Sequence, residues 1–492
     1  MEITNNYPKV QAGTPHFLML PWLAPGHLIP TIDIARLLAE HNAAVTIITT
    51  PVNAARIKPT IDRSNAASAG NISLVSLYFP ATEVGLPEGC ENIDLVPSMP
   101  LVYNFCQATK LFRQQVSRYI RELAPRVSCI ISGMGYVWAV DVAHELGVPC
   151  FIFHGFGSFA LCCSEILHKT KEHEDEVLVP ASSAEPFIIS GLPFEFKITR
   201  KELPLHFPQS KEMKEIGEEM RSYELAVDGI LVNSFEQLEP GYADLLQNLS
   251  GKKVFTMGPV SVCNTKMMDM EERGNKPTVS THRCIQWLDS KKPKSVVYVS
   301  FGSTGSFAPK QFKELGLGLL ASQWPFVWVI KDIEKLPEET LIWLRENFED
   351  KNSSRSLLIK GWAPQIAILS HPAVGGFLTH CGWNSTLESV AAGVPVVAWP
   401  LYSEQFLNVK LIVDVLKIGV SVGAREAMAF RGDKEDGIRV WKEDVVKAIE
   451  KLMNGEEERK RVAQLKEKAE MALEKGGSSF LNLESLIQSV AP

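Results

Sequence analysis

Short apolar runs alternate with amphipathic stretches along most of the chain, the pattern of parallel strands joined by helices. HFLMLPWLAPGHLIPTIDIARLLAEH, near the start, reads as a strand, a Gly/Pro loop and a helix with Ile32, Ala35, Leu38 and Ala39 on one face. AVTIITTP, SCIISG, PCFIFHG and GILVNS give further strands, with helical connections at ELAPRV and WAVDVAHELG. After GILVNSFEQLEP the pattern loosens into a polar, turn-rich segment, roughly 264–280, which reads as an exposed connection. The alternation then restarts, with strands at SVVYVSFGS, FVWVI, SLLIKG, VGGFLTHCG and PVVAWP and helices entered at Pro309, Ser385 and about Glu404. Charged windows over 442–475 and the final FLNLESLIQSV read as helices, and the acidic run EHEDE at 172–176 as a solvated face. The fold class is α/β, with two doubly wound parallel-sheet domains. Residues 1–252 form the first, 253–475 the second, and 476–492 a helix expected to pack back on the first. Ligands bind outside the carboxyl ends of parallel strands, so two such sheets facing across a cleft would each offer strand-end loops to it.

Composition narrows the function classes. With 50 basic and 57 acidic residues the net charge is −7, and no basic block is present to follow a phosphate backbone, which argues against nucleic acid. The nine cysteines form neither a paired framework nor a CxxC motif, so reduced thiols are the default. The N-terminus lacks a basic segment followed by an apolar one, and no apolar run approaches the roughly 20 residues a bilayer span needs. A cytoplasmic, monomeric protein is the expectation.

The richest chemistry lies between Trp362 and Gln405, WAPQIAILSHPAVGGFLTHCGWNSTLESVAAGVPVVAWPLYSEQ. VGGFL is a buried strand, THCGWN a glycine-containing loop, and STLESVAAG a helix capped by Ser385 or Asn384 and closed by Gly393. Strand, loop and helix start make an anion cradle: free N–H groups and the positive end of the helix dipole favour phosphate, Gly382 admits close approach, and His380 can donate a hydrogen bond. Alone, such a helix start is equally compatible with a structural role. Around it, however, cluster Trp362, Gln365, Trp383, Glu388, Glu404 and Gln405. An indole can stack on a base, a carboxylate can accept two ribose hydroxyl protons, and an adjacent acid and amide can read sugar hydroxyls. The constellation suits a nucleotide sugar.

This stretch closely resembles the signature box of plant secondary-product glycosyltransferases, the UDP-sugar-dependent enzymes of glycosyltransferase family 1, which have the GT-B fold. It matches from Trp362 to Gln405 without a gap, and the likeness extends to PGHLIPTIDIARLLA, GLPEGCENID and SVVYVSFGS. The resemblance implies that Trp362 stacks on uracil, Ala363 contacts its edge through the backbone, and Gln365 with Glu388 holds the ribose. His380, Asn384 and Ser385 would bind the diphosphate with Ser303, while Trp383, Glu404 and Gln405 face the sugar. A glutamine ending the box usually accompanies UDP-glucose, the implied co-substrate. No further cofactor and no metal are expected, since no Asp-x-Asp pair occurs.

His27 occupies the catalytic-histidine position implied by the same resemblance. Close to a helix start, its imidazole is disfavoured as a cation and stays available as a neutral base. At Gly133, in CIISGMGYVWAVDVA, the resemblance implies an aspartate that would orient the histidine and stabilise the imidazolium. Three readings stay open: His27 works alone, another group substitutes (Asp141 is one candidate), or activity is lost. Gly133, Tyr136 and Ser158 are the expected acceptor contacts, within apolar loops around 79–90, 99–112 and 153–159. His16 falls inside a strand and reads as packing. GFGSFA, from Gly155, fits a dinucleotide fingerprint, which leaves a nicotinamide oxidoreductase as a remote alternative.

Overall fold

The computed structural model describes residues 13–67, 71–123, 126–172, 184–203, 210–278, 280–303, 305–349, 354–428 and 437–491. Among the described residues fifteen strands follow in chain order: β1 His16–Leu20, β2 Ala44–Thr49, β3 Ile72–Ser76, β4 Cys129–Gly133, β5 Cys150–His154, β6 Pro186–Ile188, β7 Lys197–Thr199, β8 Gly229–Val232, β9 Lys253–Thr256, β10 Val296–Ser300, β11 Phe326–Ile330, β12 Ser356–Lys360, β13 Val374–Thr379, β14 Val396–Ala398 and β15 Gly419–Ser421. Two parallel sheets result, ordered β3-β2-β1-β4-β5-β8-β9 and β12-β11-β10-β13-β14-β15, with β6 and β7 a separate antiparallel hairpin. The chain divides into two compact units: Met1–Ser158, Pro208–Asn264 and Met471–Pro492 in one, Phe159–Phe207 and Thr265–Glu470 in the other. The first sheet therefore runs on to Thr256, and the final helix, Ser478–Ser489, buries Leu483 and Leu486 in its core.

Parallel sheets carry helices on both faces, so their strands are apolar almost throughout. β10 shows the consequence: Val297 and Val299 enter one apolar cluster of the second unit, and Val296 and Tyr298 the other. In the first unit the helix Pro25–Glu40 buries Ile32, Ala35, Leu38 and Ala39 against β1 and β2, as its apolar stripe dictates.

Several boundaries differ from the sequence reading. A helix at Pro100–Glu122 occupies the region expected to be a loop, with proline at its first turn and Phe105, Phe112 and Val116 buried, and it stops before the Ala-Pro pair of ELAPRV. Glu122, the first residue of ELAPRV, closes this helix with Leu123 as its cap, and Ala124 and Pro125 lie outside the described residues. The helix of the signature stretch runs from Trp383 to Ala392 and is capped by Gly382, not by Asn384 or Ser385, because Cys381 at φ +61° turns the chain just before it. EHEDE lies outside the described residues apart from its first, the last residue of the helix Ser158–Glu172. All nine cysteines are free thiols, buried except for Cys263. Among the described residues no helix is long and apolar enough to cross a membrane.

Candidate active site

In each sheet the connections leave in opposite directions from one adjacent pair of strands, opening a crevice at their carboxyl ends. In the first sheet that pair is β1 and β4, in the second β10 and β13. His27 follows β1 and Gly133 ends β4; Ser303 follows β10 and His380 follows β13. These four residues thus lie beside the point in each unit where strand order reverses.

At the β10/β13 point, the first-turn N–H groups of Trp383, Asn384 and Ser385 have no carbonyl one turn back within their helix. The N–H of Trp383 is taken by Glu404, a buried carboxyl raised above the usual range by burial, which also accepts from Ser403 (2.6 Å) and Asn408 (3.4 Å). The Trp383 indole itself is buried, so this residue meets the helix start through its backbone. His380 is wedged between two glycines: a Cβ on Gly302 would lie 2.7 Å from its Nε2, and one on Gly382 2.5 Å. Burial lowers its pKa to about 4, so it is neutral at pH 7. Thr379 Oγ1 lies 3.3 Å from Nδ1, and in the tautomer in which that hydroxyl donates, Nε2 carries the hydrogen and can serve an anion. Ser303 gives its carbonyl to Lys331 Nζ.

The residues expected to hold the nucleoside form a hydrogen-bond cluster. Gln365 Nε2 donates to Glu388 Oε2 at 2.8 Å and to Ser385 Oγ at 3.1 Å, while its Oε1 accepts from Tyr298 at 3.2 Å. Trp362 is half-buried beside the buried Ala363. Gln405 spends its carbonyl oxygen on the N–H groups of Leu401 (2.8 Å) and Tyr402 (3.1 Å), leaving its NH2 as the group a ligand can meet. Sequence reasoning missed Arg273, which pairs with Glu388 from within the segment read as an exposed connection. No periodicity or motif marks that arginine.

In the first unit His27 lies in the opening turn of the helix Pro25–Glu40. Burial drops its pKa to about 4. Its Nδ1 is buried and has no hydrogen-bond partner among the described residues, which leaves Nε2 to meet a substrate. The ring rests over Gly155, where a Cβ would fall 2.7 Å from Cε1, and meets Phe156 edge-on at 5.9 Å. Phe156 also stacks on His154 at 6.4 Å, a buried imidazole lowered to about 3 by burial and by His27.

Gly133 is not an open gap. A Cβ there would lie 2.5 Å from Trp22 Cβ and 2.6 Å from the Trp22 nitrogen, and a Cβ on Gly135 would overlap the indole at 1.9 Å. Trp22 fills the slot between these glycines and packs edge-on against Phe105 and Tyr136, each at 5.8 Å. Asp141 is exposed and pairs with Arg113 at 3.1 Å, away from the histidine. Tyr136 is fully buried, its hydroxyl on the Pro21 carbonyl at 3.4 Å. Ser158 is buried too, and its Oγ has no hydrogen-bond partner among the described residues. Its N–H donates to the buried Glu239 at 3.0 Å. The first glycine of GFGSFA serves the His27 ring. His16, buried in β1, bonds Thr46 at 2.8 Å.

A family model described as UDP-glucoronosyl and UDP-glucosyl transferase matches residues 268–468. The chain is 44% identical over 480 residues to UDP-glycosyltransferase 73C6 of Arabidopsis thaliana, covering 96% of each. It is 42% identical over 481 residues to UDP-glycosyltransferase 73E1 of Stevia rebaudiana, again 96% of each. It superposes on the crystal structure of Glycyrrhiza uralensis UGT73P12 complexed with glycyrrhetinic acid 3-O-monoglucuronide with a TM-score of 0.88 and 37% identity, covering 97% of this chain and 96% of that one.

Two substitutions test this geometry. Gly133→Asp meets backbone and Cβ atoms of Trp22 that cannot swing aside, so it should lower stability by about 1–3 kcal/mol in denaturant titrations and fail to raise turnover. A stable, faster Gly133→Asp protein would refute the wedge. Gly155→Ala meets the His27 ring first, a side chain that can shift, so the fold and UDP affinity should persist while turnover falls on the order of a hundredfold, the cost of displacing a base by about 1 Å.

Proposed function

The chain belongs to the UDP-glycosyltransferases of the GT-B fold, and on that premise we propose that it is an inverting, UDP-glucose-dependent transferase that converts a hydroxyl of a large apolar plant secondary metabolite to a β-glucoside. The observation that carries this reading is the neutral His380 lodged between Gly302 and Gly382 at the start of the helix Trp383–Ala392. A diphosphate seated there meets first-turn N–H groups, the positive helix end and an Nε2–H donor. In this reading Trp362 stacks on uracil, Gln365 and Glu388 hold the ribose, and Glu404 and Gln405 read the sugar. The fixed amide of Gln405, which ends the signature stretch, supports glucose.

In the proposed reaction His27 Nε2 takes the acceptor's hydroxyl proton as the oxygen attacks the anomeric carbon from the face opposite UDP. The C1–O bond to the diphosphate breaks, its electron pair leaves on UDP, and the anomeric centre inverts. Donors preorganised at the departing oxygen are worth about 3–4 kcal/mol each. UDP-glucose serves as co-substrate, and no further cofactor enters the scheme.

The character of the base points to the acceptor. A histidine near pKa 4 with an unpartnered Nδ1 is a weak base whose imidazolium lacks a carboxylate neighbour. Proton transfer is least uphill from an acidic hydroxyl, so phenols are favoured over aliphatic alcohols. The aromatic surroundings of Phe156 and the buried cluster around Trp22 favour a flavonoid, triterpenoid or steroid type of aglycone. UGT73P12, solved with a glucuronide of glycyrrhetinic acid, lends weight to a polycyclic acceptor. A second reading, a UDP-sugar-binding homologue with impaired catalysis, draws on the same orphaned Nδ1.

Purified protein incubated with UDP-glucose and a mixed aglycone library, read by mass spectrometry, separates the two readings. Glucosides should form, phenolic ones first, and His27→Ala should abolish them; tight UDP binding without product would establish the impaired homologue. For an accepted phenol, kcat/KM reports the free enzyme, and the base must be unprotonated to act. The rate should therefore hold from pH 7 to about 5 and fall only towards 4, the His27 value. An acid limb near the ordinary histidine value of about 6.5 would remove His27 as the buried neutral base.

A further inference from the structure

The helix Met267–Glu271 packs against the short helix Gln365–Leu369, and the chain that follows it is fastened at two points. Arg273 Nη1 donates to Glu388 Oε1. The N–H and hydroxyl of Thr278 both donate to the Trp362 carbonyl, at 3.0 and 3.3 Å. The anchors are therefore the residue assigned to base stacking and the residue assigned to the ribose.

The ion pair is buried, with 10% of the Arg273 side chain exposed and 6% of that of Glu388. A carboxylate out of water needs a partner for its charge. Arg273 holds Oε1 and Gln365 holds Oε2, so the plane of the carboxylate is fixed from both sides. An ionised carboxylate has about four acceptor sites. Two are spent on these donors, which leaves one on each oxygen, the arrangement that vicinal hydroxyls require.

We propose that Arg273 is a positioning residue for donor binding: from a strap spanning residues 265–278 it aligns Glu388 on the ribose hydroxyls, while Thr278 fixes the Trp362 end of the same pocket. This rests on the reading of Glu388 as the ribose acceptor. Arg273 acts through that carboxylate, so its removal acts on recognition of the hydroxyls rather than on the diphosphate or the base.

The test is calorimetric titration of the full chain with UDP and with 2′-deoxy-UDP, for the wild type, Glu388→Gln, Arg273→Ala and Arg273→Lys. The wild type should prefer UDP by about tenfold, the size of one hydrogen bond to a charged group. Glu388→Gln and Arg273→Ala should each cut the preference below about threefold, and Arg273→Lys, a point charge without the planar fork, should fall between. Loosening of the fold alone would weaken both nucleotides together and leave the ratio at its wild-type value. If Glu388→Gln collapses the ratio and Arg273→Ala does not, the strap proposal fails while the ribose reading stands. A wild-type ratio near one, or one that Glu388→Gln leaves intact, overturns the ribose reading and the proposal with it. Should Arg273→Ala not fold, Arg273→Lys decides: an unchanged ratio overturns the proposal.

Discussion

In each unit the candidate residues depend on an imidazole pressed against backbone that carries no Cβ. His27 lies on Gly155, and His380 lies between Gly302 and Gly382. Close approach removes water from the rings, and burial holds both near pKa 4. The same device serves opposite ends of the proposed reaction. A neutral ring at His27 can accept a proton, and a neutral ring at His380, if Thr379 donates to its Nδ1, can present a hydrogen to an anion. An imidazolium at the first position could not act as a base. At the second, a charged ring would add attraction for a diphosphate, and the helix start supplies part of that attraction instead.

The sheet topology explains why these rings stand where they do. Reversal of strand order at β1/β4 and at β10/β13 splays the following loops apart, and each histidine enters on a loop or helix start beside such a reversal. Glycines can be placed in those loops without weakening a strand, and the close approaches described above follow. Anchoring comes from the surrounding hydrogen bonds: Glu239 ties the start of the Ser158 helix, Gln405 ties the Leu401–Tyr402 loop, and Glu404 ties the Trp383 N–H.

Much of this was legible in the sequence, and the boundary of legibility is physical. Strands buried on both faces announce themselves as apolar runs, and a contiguous stretch such as Trp362–Gln405 carries its strand, loop and helix start in one reading frame. Helix limits were less legible, because a left-handed Cys381 moved one start by two residues and a helix formed at Pro100–Glu122 where a loop was expected. Groups that act across sequence distance left no local trace. Arg273 meets Glu388 from 115 residues away, inside a segment whose polarity reads as exposure. Tyr136 and the Trp383 indole, counted among ligand contacts, are buried, because aromatic side chains near a site belong as readily to the core beneath it.

Gly133 shows most clearly what a sequence comparison leaves out. Seen alone it is a missing carboxylate; seen with Trp22 and Gly135 it is one wall of a filled slot. An indole has replaced the space for an acid, and it is locked in place by Phe105 and Tyr136. A base without a carboxylate behind it gains less as it takes up a proton, so more of the driving force has to come from the acceptor oxygen. In the proposed reaction the glycine would shift the burden from enzyme to substrate, where an acidic hydroxyl serves such a base best. A single-residue repair cannot reverse that shift, because the atoms opposing a side chain at position 133 are the backbone and Cβ of Trp22.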